Sequence, residues 1–297
     1  MRPDPLTLQL FNAVVETGSI AAAAQREHIA AAAVSRRIAE LEQRLGSPLL
    51  LRHARGVEPT AAGRALLGLA RRALRALDDV PEQMRDYASG LRGQIRMCSN
   101  ISGITQFLPQ DLASFAQLHP QVHIELEETN SSVAVRAVAE NAADIGVYTA
   151  YVHNATVQSL PYRRDRLALL VPQRHALARR RQLRFAQVLD EAFVGLRTGS
   201  AINQLLVAEA ARLGQSLRMR IQVTGFDALC LMVAQGFGIG VAPAGVVRLY
   251  APTLGVREIA LHEPWAEREL RLAVRRLDGL SPEALRLVEH LQATAVR

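Results

Sequence analysis

The spacing of apolar residues changes near residue 94, and that change limits what the chain can fold into. Before it, apolar positions recur every three to four residues, the period of amphipathic helices. From Gln94 onward, short apolar runs alternate with helical stretches, as in an open α/β sheet. At 297 residues the chain exceeds the usual single domain. The change of period is therefore read as a domain boundary.

In the first stretch Leu6, Leu10, Phe11 and Val14 share one face of a helix that Gly18 ends. Ser19 stands at the N-cap position of a short second helix, Ile20 to His28, rich in alanine. After a turn at Ile29 and Ala30, a third helix runs to about Leu45. Val34, Ile38, Leu41 and Leu45 face the core, leaving Ala31, Ala32, Ser35 and Arg36 on another face with Arg37 beside them. Gly46 is a left-handed cap, and Pro48 prevents continuation. Residues 49–60 form two short extended stretches around a basic turn carrying Arg52 and Arg55. Three short helices followed by a basic hairpin make a winged helix-turn-helix, whose third helix enters the major groove while the wing meets phosphate. The candidate DNA-binding set is Ser19, Ala31, Ala32, Ser35, Arg36, Arg37, Arg52 and Arg55. Singly, the alanines also serve helix propensity and Arg36 or Arg37 could be merely solvated. For Arg52 and Arg55 the wing position favours phosphate.

Thr60 is placed to cap a helix from Ala61 to about Tyr87, with Leu66, Leu67, Ala70, Leu74 and Leu77 in a stripe. Such a stripe needs cover, either from a second subunit or from the chain's own wing. Pro81 predicts a kink or an early stop, and Gly90-Leu91-Arg92-Gly93 a flexible joint. The expected organisation is a head over 1–63, a linker helix over 64–90 and a two-lobed α/β domain over 91–297. Lobe one takes 93–162 and 267–297, and lobe two 163–266. Strands are expected at Ile95–Ser99, Val122–Glu127, Asp144–Tyr148, Val157–Leu160, Leu167–Val171, Phe193–Leu196, Arg220–Val223 and Glu269–Val274.

Ligands of such sheets lie near strand ends and helix N-termini, where free amides favour anions. That logic selects Ser99, Asn100 and Ser102 after the first strand, Thr129 after the second, and Arg197, Thr198 and Ser200 before a helix of the other lobe. Thr224 and Phe226 complete the cleft, with Tyr148 as a wall. Ser102 and Ser200 could equally be helix caps, and Arg197 could pair with a surface carboxylate. Hydroxyls, helix starts and one arginine together point to a small organic anion.

All 35 basic side chains are arginine, against 28 acidic ones, for a formal charge of +7. The balance suits a polyanionic partner. The absence of lysine excludes P-loop, Schiff-base and lysine-base chemistry. Cys98 and Cys230 are too few and isolated for a disulfide framework or zinc site, and read as small core residues. Gly236-Phe237-Gly238-Ile239-Gly240 lacks dinucleotide-binding spacing and strand–helix order; Pro120 spoils the helical pairing of His119 with His123; no GxSxG elbow occurs. No catalytic residue, metal or cofactor is assigned. Without an apolar leader or a ~20-residue apolar run, a cytoplasmic protein with no membrane contact is expected.

The residues Phe11, Gly18-Ser19, Ala23-Ala24, Ala33-Val34-Ser35-Arg36, Ile38, Leu41-Glu42, Leu45-Gly46, Pro48-Leu49, Arg52 and Thr60-Ala61-Ala62-Gly63 resemble, at matching spacings, the DNA-binding signature of the LysR family of bacterial transcriptional regulators. Leu108-Pro109, His119-Pro120, Asp144-Ile145-Gly146-Val147, Leu169 to Pro172 and the glycine-rich segment ending at Pro243 extend the resemblance to that family's periplasmic-binding-protein-like effector domain. The resemblance implies double-stranded promoter DNA as partner, a small effector, a homodimer through the linker helix assembling to a homotetramer that bends its promoter, and contact with RNA polymerase. A transport solute-binding protein or a small-molecule enzyme using the same cleft is the alternative; neither calls for a helix-turn-helix. The chain departs from the family where Ala30 and Ala31 replace the usual Ser-Gln pair. An alanine can touch only a thymine methyl, so discrimination passes to Ser35, Arg36 and DNA shape. Binding-site selection is expected to return no strong preference for adenine opposite Ala31.

Overall fold

The structure, a computed structural model, describes residues 4–53, 56–89, 93–150 and 156–294, with the description of 78, 79 and 81–89 confined to the backbone apart from Val80. The chain divides into two compact units, Met1–Gly90 with Glu140–Ala142, and Leu91–Ala139 with Ala143–Arg297.

The first unit opens with α1 (Pro5–Thr17), whose N-cap Asp4 accepts from the amides of Leu6 and Thr7. Ser19 caps α2 (Ile20–Arg26), and α3 (Ala31–Leu45) ends on Gly46 at φ 65°, a conformation glycine adopts without strain. Leu10, Phe11, Val14, Ala23, Val34, Ile38, Leu41 and Leu49 form its core. Leu6 and Leu45, the outermost members of the two predicted faces, are exposed because the helix ends project past that core. β1 (Leu50–His53) and β2 (Gly56–Pro59) pair antiparallel as the wing, Leu50 opposite Pro59. Its base is pinned by side chains: Glu42 Oε1 accepts from the amides of Leu49 (2.7 Å) and Leu50 (3.0 Å).

α4 (Ala61–Ser89) runs 29 residues and continues past Pro81, so the helix does not stop there. A proline removes one amide donor, but turns already formed on both sides propagate cheaply. The helix starts at a Thr60 cap, whose Oγ1 accepts from Gly63 N at 2.9 Å, so helix and wing meet within the predicted head segment. A Cβ at Gly63 would fall 2.1 Å from the Leu49 carbonyl oxygen, which is why only glycine fits there. Ala62, Leu66 and Leu67 pack on the head core, and Arg71 reaches Glu16 of α1 at 3.1 Å. Leu69, Leu77 and Val80 remain exposed.

The second unit contains β3 (Gln94–Ser99), α5 (Ile101–Gln106), α6 (Leu108–Leu118), β4 (His123–Glu128), α7 (Ser131–Ala139), β5 (Ile145–Thr149) and β6 (Gln158–Pro172). There follow β7 (Gln182–Leu183), β8 (Ala192–Leu196), α8 (Ala201–Arg212), β9 (Arg218–Val223), α9 (Phe226–Ala234), β10 (Gly240–Pro243), α10 (Ala244–Leu254), β11 (Val256–Leu261), β12 (Glu267–Val274) and α11 (Pro282–Thr294). Lobe one is the sheet β4-β3-β5-β12-β6. Alternating residues send Met97, Val147 and Leu272 against α6 and α11, and Cys98, Tyr148 and Ala273 against α7. In lobe two the end of β6 pairs with β10 and β11, β11 with β7, and β8 with β9.

The two strands expected at Val157–Leu160 and Leu167–Val171 are thus one strand of 15 residues. Its charged middle hides the continuity from a hydrophobicity reading, because the charges are satisfied across the lobe: Arg163 with Asp111 (2.9 Å), Asp165 with Arg268, Arg166 with Glu267 (3.4 Å). Between β3 and β4 the chain forms two helices, α5 and α6, that meet at Phe107, and α10 and β11 are elements the sequence reading did not include. Gly63→Ala is expected to destabilise the head by about 1–3 kcal/mol, read as an earlier urea transition, while the exposed neighbour Ala65→Ser moves it little.

Candidate functional site

In the head, Ala31, Ala32 and Arg36 lie exposed along the start of α3, with Ser35 half-buried between them. Arg36 keeps 77% of its side chain exposed, with only a 3.9 Å approach to Glu40. Arg52 of the wing stands 3.5 Å from Ser35 Oγ, bringing wing and third helix together on one surface. Arg37 is turned back: its Nη1 donates to Asp4 Oδ2 (2.8 Å) and Thr7 Oγ1 (3.1 Å), tying α3 to the start of α1. Ser19 Oγ is occupied with Ala22 N at 3.3 Å. Ala30 contributes no side-chain cap, so the first amides of α3 have no side-chain acceptor at the N-cap position. Arg55 and the joint at Gly90-Leu91-Arg92 lie outside the described residues.

In the second unit a cavity of about 250 Å³ lies where the carboxyl ends of β3, β4, β8 and β9 converge. It gathers Asn100, Ser102, Thr129, Arg197, Thr198, Ser200 and Thr224 from the sequence-selected set. Their states differ. Asn100 is consumed by structure: Nδ2 donates to Ser131 Oγ (3.0 Å) and Thr149 Oγ1 (3.1 Å), and Oδ1 accepts from Gly103 N (3.0 Å). Ser102 Oγ accepts from Arg268 at 3.2 Å, and Ser200 Oγ caps α8 through Asn203 N at 3.1 Å. Arg197 and Thr198 are exposed, and among the described residues no carboxylate pairs with Arg197.

Three selected residues are elsewhere. Ser99 is fully buried, its Oγ bonded to the Asn100 carbonyl at 3.0 Å. Tyr148 points into the α7 side of lobe one, its hydroxyl 2.5 Å from Ser159 Oγ. Phe226 belongs to the lobe-two core. All three follow from strand alternation or helix phase that a strand-end rule ignores. Conversely, Glu128, Asn130 and Ser131 line the cavity; the β4 end falls at Glu128, one residue later than the sequence indicated.

Cys98 and Cys230 are free and buried. Burial, helped by the Glu127 carboxylate, pushes the Cys98 thiol up to about 11; burial and Asp227 do the same to Cys230. Among the described residues no helix is long and apolar enough to cross a membrane, and no group of three or more His, Cys, Asp or Glu could hold a metal.

A winged helix-turn-helix with an open third-helix face, together with a two-lobed α/β unit holding a polar cavity at its strand ends, defines a ligand-responsive DNA-binding regulator. Residues 6–64 match the bacterial regulatory helix-turn-helix protein, lysR family, and residues 88–296 match the LysR substrate binding domain. The chain belongs to the LysR family of transcriptional regulators. It is 27% identical over 290 residues to the RuBisCO operon transcriptional regulator of Allochromatium vinosum, covering 98% of this chain and 96% of that protein. It is 32% identical over 238 residues to a probable HTH-type transcriptional regulator, LrrA, of Synechococcus elongatus, covering 80% and 79%. Its fold is similar to crystalline CbnR, a LysR family transcriptional regulator, at TM-score 0.65 and 22% identity over 98% of this chain and 99% of that one. The Synechocystis CcmR regulatory domain in complex with 2-PG matches at TM-score 0.63 and 20% identity, over 69% of this chain and 98% of that one.

With both thiols near 11, roughly one in a thousand is ionised at pH 8. Iodoacetamide is therefore expected to leave the native chain unlabelled at pH 8 by mass spectrometry. Labelling should rise with pH toward 11 and become complete in urea.

Proposed function

We propose that this regulator reads promoter DNA with Ser35 and Arg36 of α3 while Arg52 holds phosphate, and answers to a small organic anion bound at the strand-end cavity, with no chemistry of its own. Arg197 carries the ligand class: an exposed guanidinium without a carboxylate partner among the described residues, set beside the starts of α7 and α8. The hydroxyls of Thr129, Thr198 and Thr224 supply further donors, and Glu128 is the one carboxylate in the lining. A lone charge opposed by a single acid favours a ligand bearing one or two carboxylate or phosphate groups over an apolar one. The exposed Leu69, Leu77 and Val80 of α4 support pairing with a second copy. Assembly of dimers to a tetramer, promoter bending, contact with RNA polymerase and action in the cytoplasm extend the same reading.

Two measurements test it. Calorimetry against a panel of small carboxylates and phosphates is expected to find a binder that Arg197→Ala weakens about tenfold or more; affinity confined to cations or apolar compounds overturns the ligand class. Gel retardation of the fragment upstream of the chain's own coding region is expected to show binding whose salt dependence falls by about one unit of slope in Arg52→Ala, equally on all sequences. Arg36→Ala should instead weaken binding unevenly across sequences.

A further inference from the structure

The cavity that holds Arg197 does not end at Glu128. An adjoining hollow of about 240 Å³ shares Ile101, Glu128 and Thr224 with it and continues to Thr105, Asp227 and Tyr250. The charge of this hollow is of the other sign, since two carboxylates line it and no arginine or histidine does. Glu128 comes from the end of β4 in lobe one, and Asp227 from the first turn of α9 in lobe two. A Cβ on Gly225 would fall 2.2 Å from Asp227 Oδ1, so the bare backbone at 225 leaves the carboxylate its room. Burial, together with the Asp227 carboxylate, raises the Tyr250 phenol above its ordinary value, which sets the two side chains in one neighbourhood.

Among the described residues, neither Glu128 nor Asp227 makes an ion pair or a side-chain hydrogen bond, and neither does Arg197. Three unanswered charges of both signs thus border one continuous space. An anion at Arg197 alone would leave the two acids without a cation, and an amine alone would leave Arg197 without an anion. One molecule bearing both groups answers all three. The remaining lining divides the same way. Thr129, Thr198 and the starts of α7 and α8 lie on the Arg197 side, where donors and helix dipoles favour an anion. Tyr250 lies on the acid side, where the face of its ring also attracts a cation. Among the described residues no third His, Cys, Asp or Glu joins the two acids, so a metal cage is not formed. An ammonium, with its several N–H donors, suits two carboxylates and a hydroxyl.

We propose that the effector of the strand-end cavity is a zwitterion, an amino-carboxylate or amino-phosphate whose anionic group meets Arg197 and whose ammonium meets Glu128 and Asp227. This rests on the anion reading of Arg197 and narrows it. The probes are the straight-chain ω-amino acids from glycine to aminohexanoate and the alkanoates of the same chain lengths, titrated calorimetrically into the full chain at neutral pH. Both series carry the carboxylate and only the first an ammonium. At least one amino acid is expected to bind about tenfold or more tightly than its alkanoate. Asp227→Asn, which keeps the shape of the side chain, should cut that preference to about threefold or less. If that variant melts earlier, Glu128→Gln at the exposed strand end serves instead. Arg197→Ala should weaken both series together. Alkanoates binding as tightly as the amino acids, or a preference that survives both acid variants, overturns the zwitterion and leaves the anion reading standing. Binding by neither series also overturns the zwitterion, and binding that Arg197→Ala leaves unchanged overturns the anion reading beneath it as well.

Discussion

Asp165 and Arg268 sit directly opposite each other on β6 and β12, at the point where β6 leaves the lobe-one sheet for its partners in lobe two. Gln106 of α5 donates to the same carboxylate at 2.8 Å, and Ser102 accepts from the same arginine. One buried ion pair therefore fixes the register of the crossing strands and the seat of the short helix that floors the first cavity. Two desolvated charges gain little net stability from each other. Removing one of them strands the other, at a cost of about 3–5 kcal/mol. The pair is better understood as holding one arrangement against others than as a source of binding strength between the strands.

That crossing decides where polar groups collect. Strands in each lobe end at the same side, so the segments after β3, β4, β8 and β9 are brought together with the starts of α7 and α8. Ser131 illustrates how tightly this floor is knit: its Oγ accepts from Asn100 Nδ2 and from Thr149 N at 3.1 Å, joining three chain segments beneath the cavity. Thr129, Arg197, Thr198 and Thr224 line the same cavity and are the groups the proposed ligand would meet. A hydrogen-bonded floor of this kind holds the lining groups in place, which is what selective ligand binding requires.

Much of this was legible in the sequence where local chemistry and tertiary need coincide. The faces of α1 and α3, the caps at Ser19 and Gly46, and the strand at Phe193–Leu196 follow from periodicity and capping alone. The strand-end rule brought seven of its ten residues to one cavity, and the three it misplaced, Ser99, Tyr148 and Phe226, fail for reasons of phase. Charge hid the rest. Residues 163–166 look like a surface loop because each ion-pair partner lies far along the chain, and a single sequence does not reveal such pairing. Arg268 was invisible for the same reason, as was the backward turn of Arg37 onto Asp4, 33 residues away.

Alanine at position 30 has a thermodynamic corollary for the head. A helix that begins without a Ser, Thr, Asp or Asn oxygen forgoes about 1 kcal/mol of capping, and its leading N–H groups keep their positive end of the dipole turned to solvent. An oxyanion at that end would supply the acceptor that Ala30 lacks. Among the described residues of the head, this is the one helix start left without a side-chain oxygen on its amides, since Asp4, Ser19 and Thr60 serve the other three.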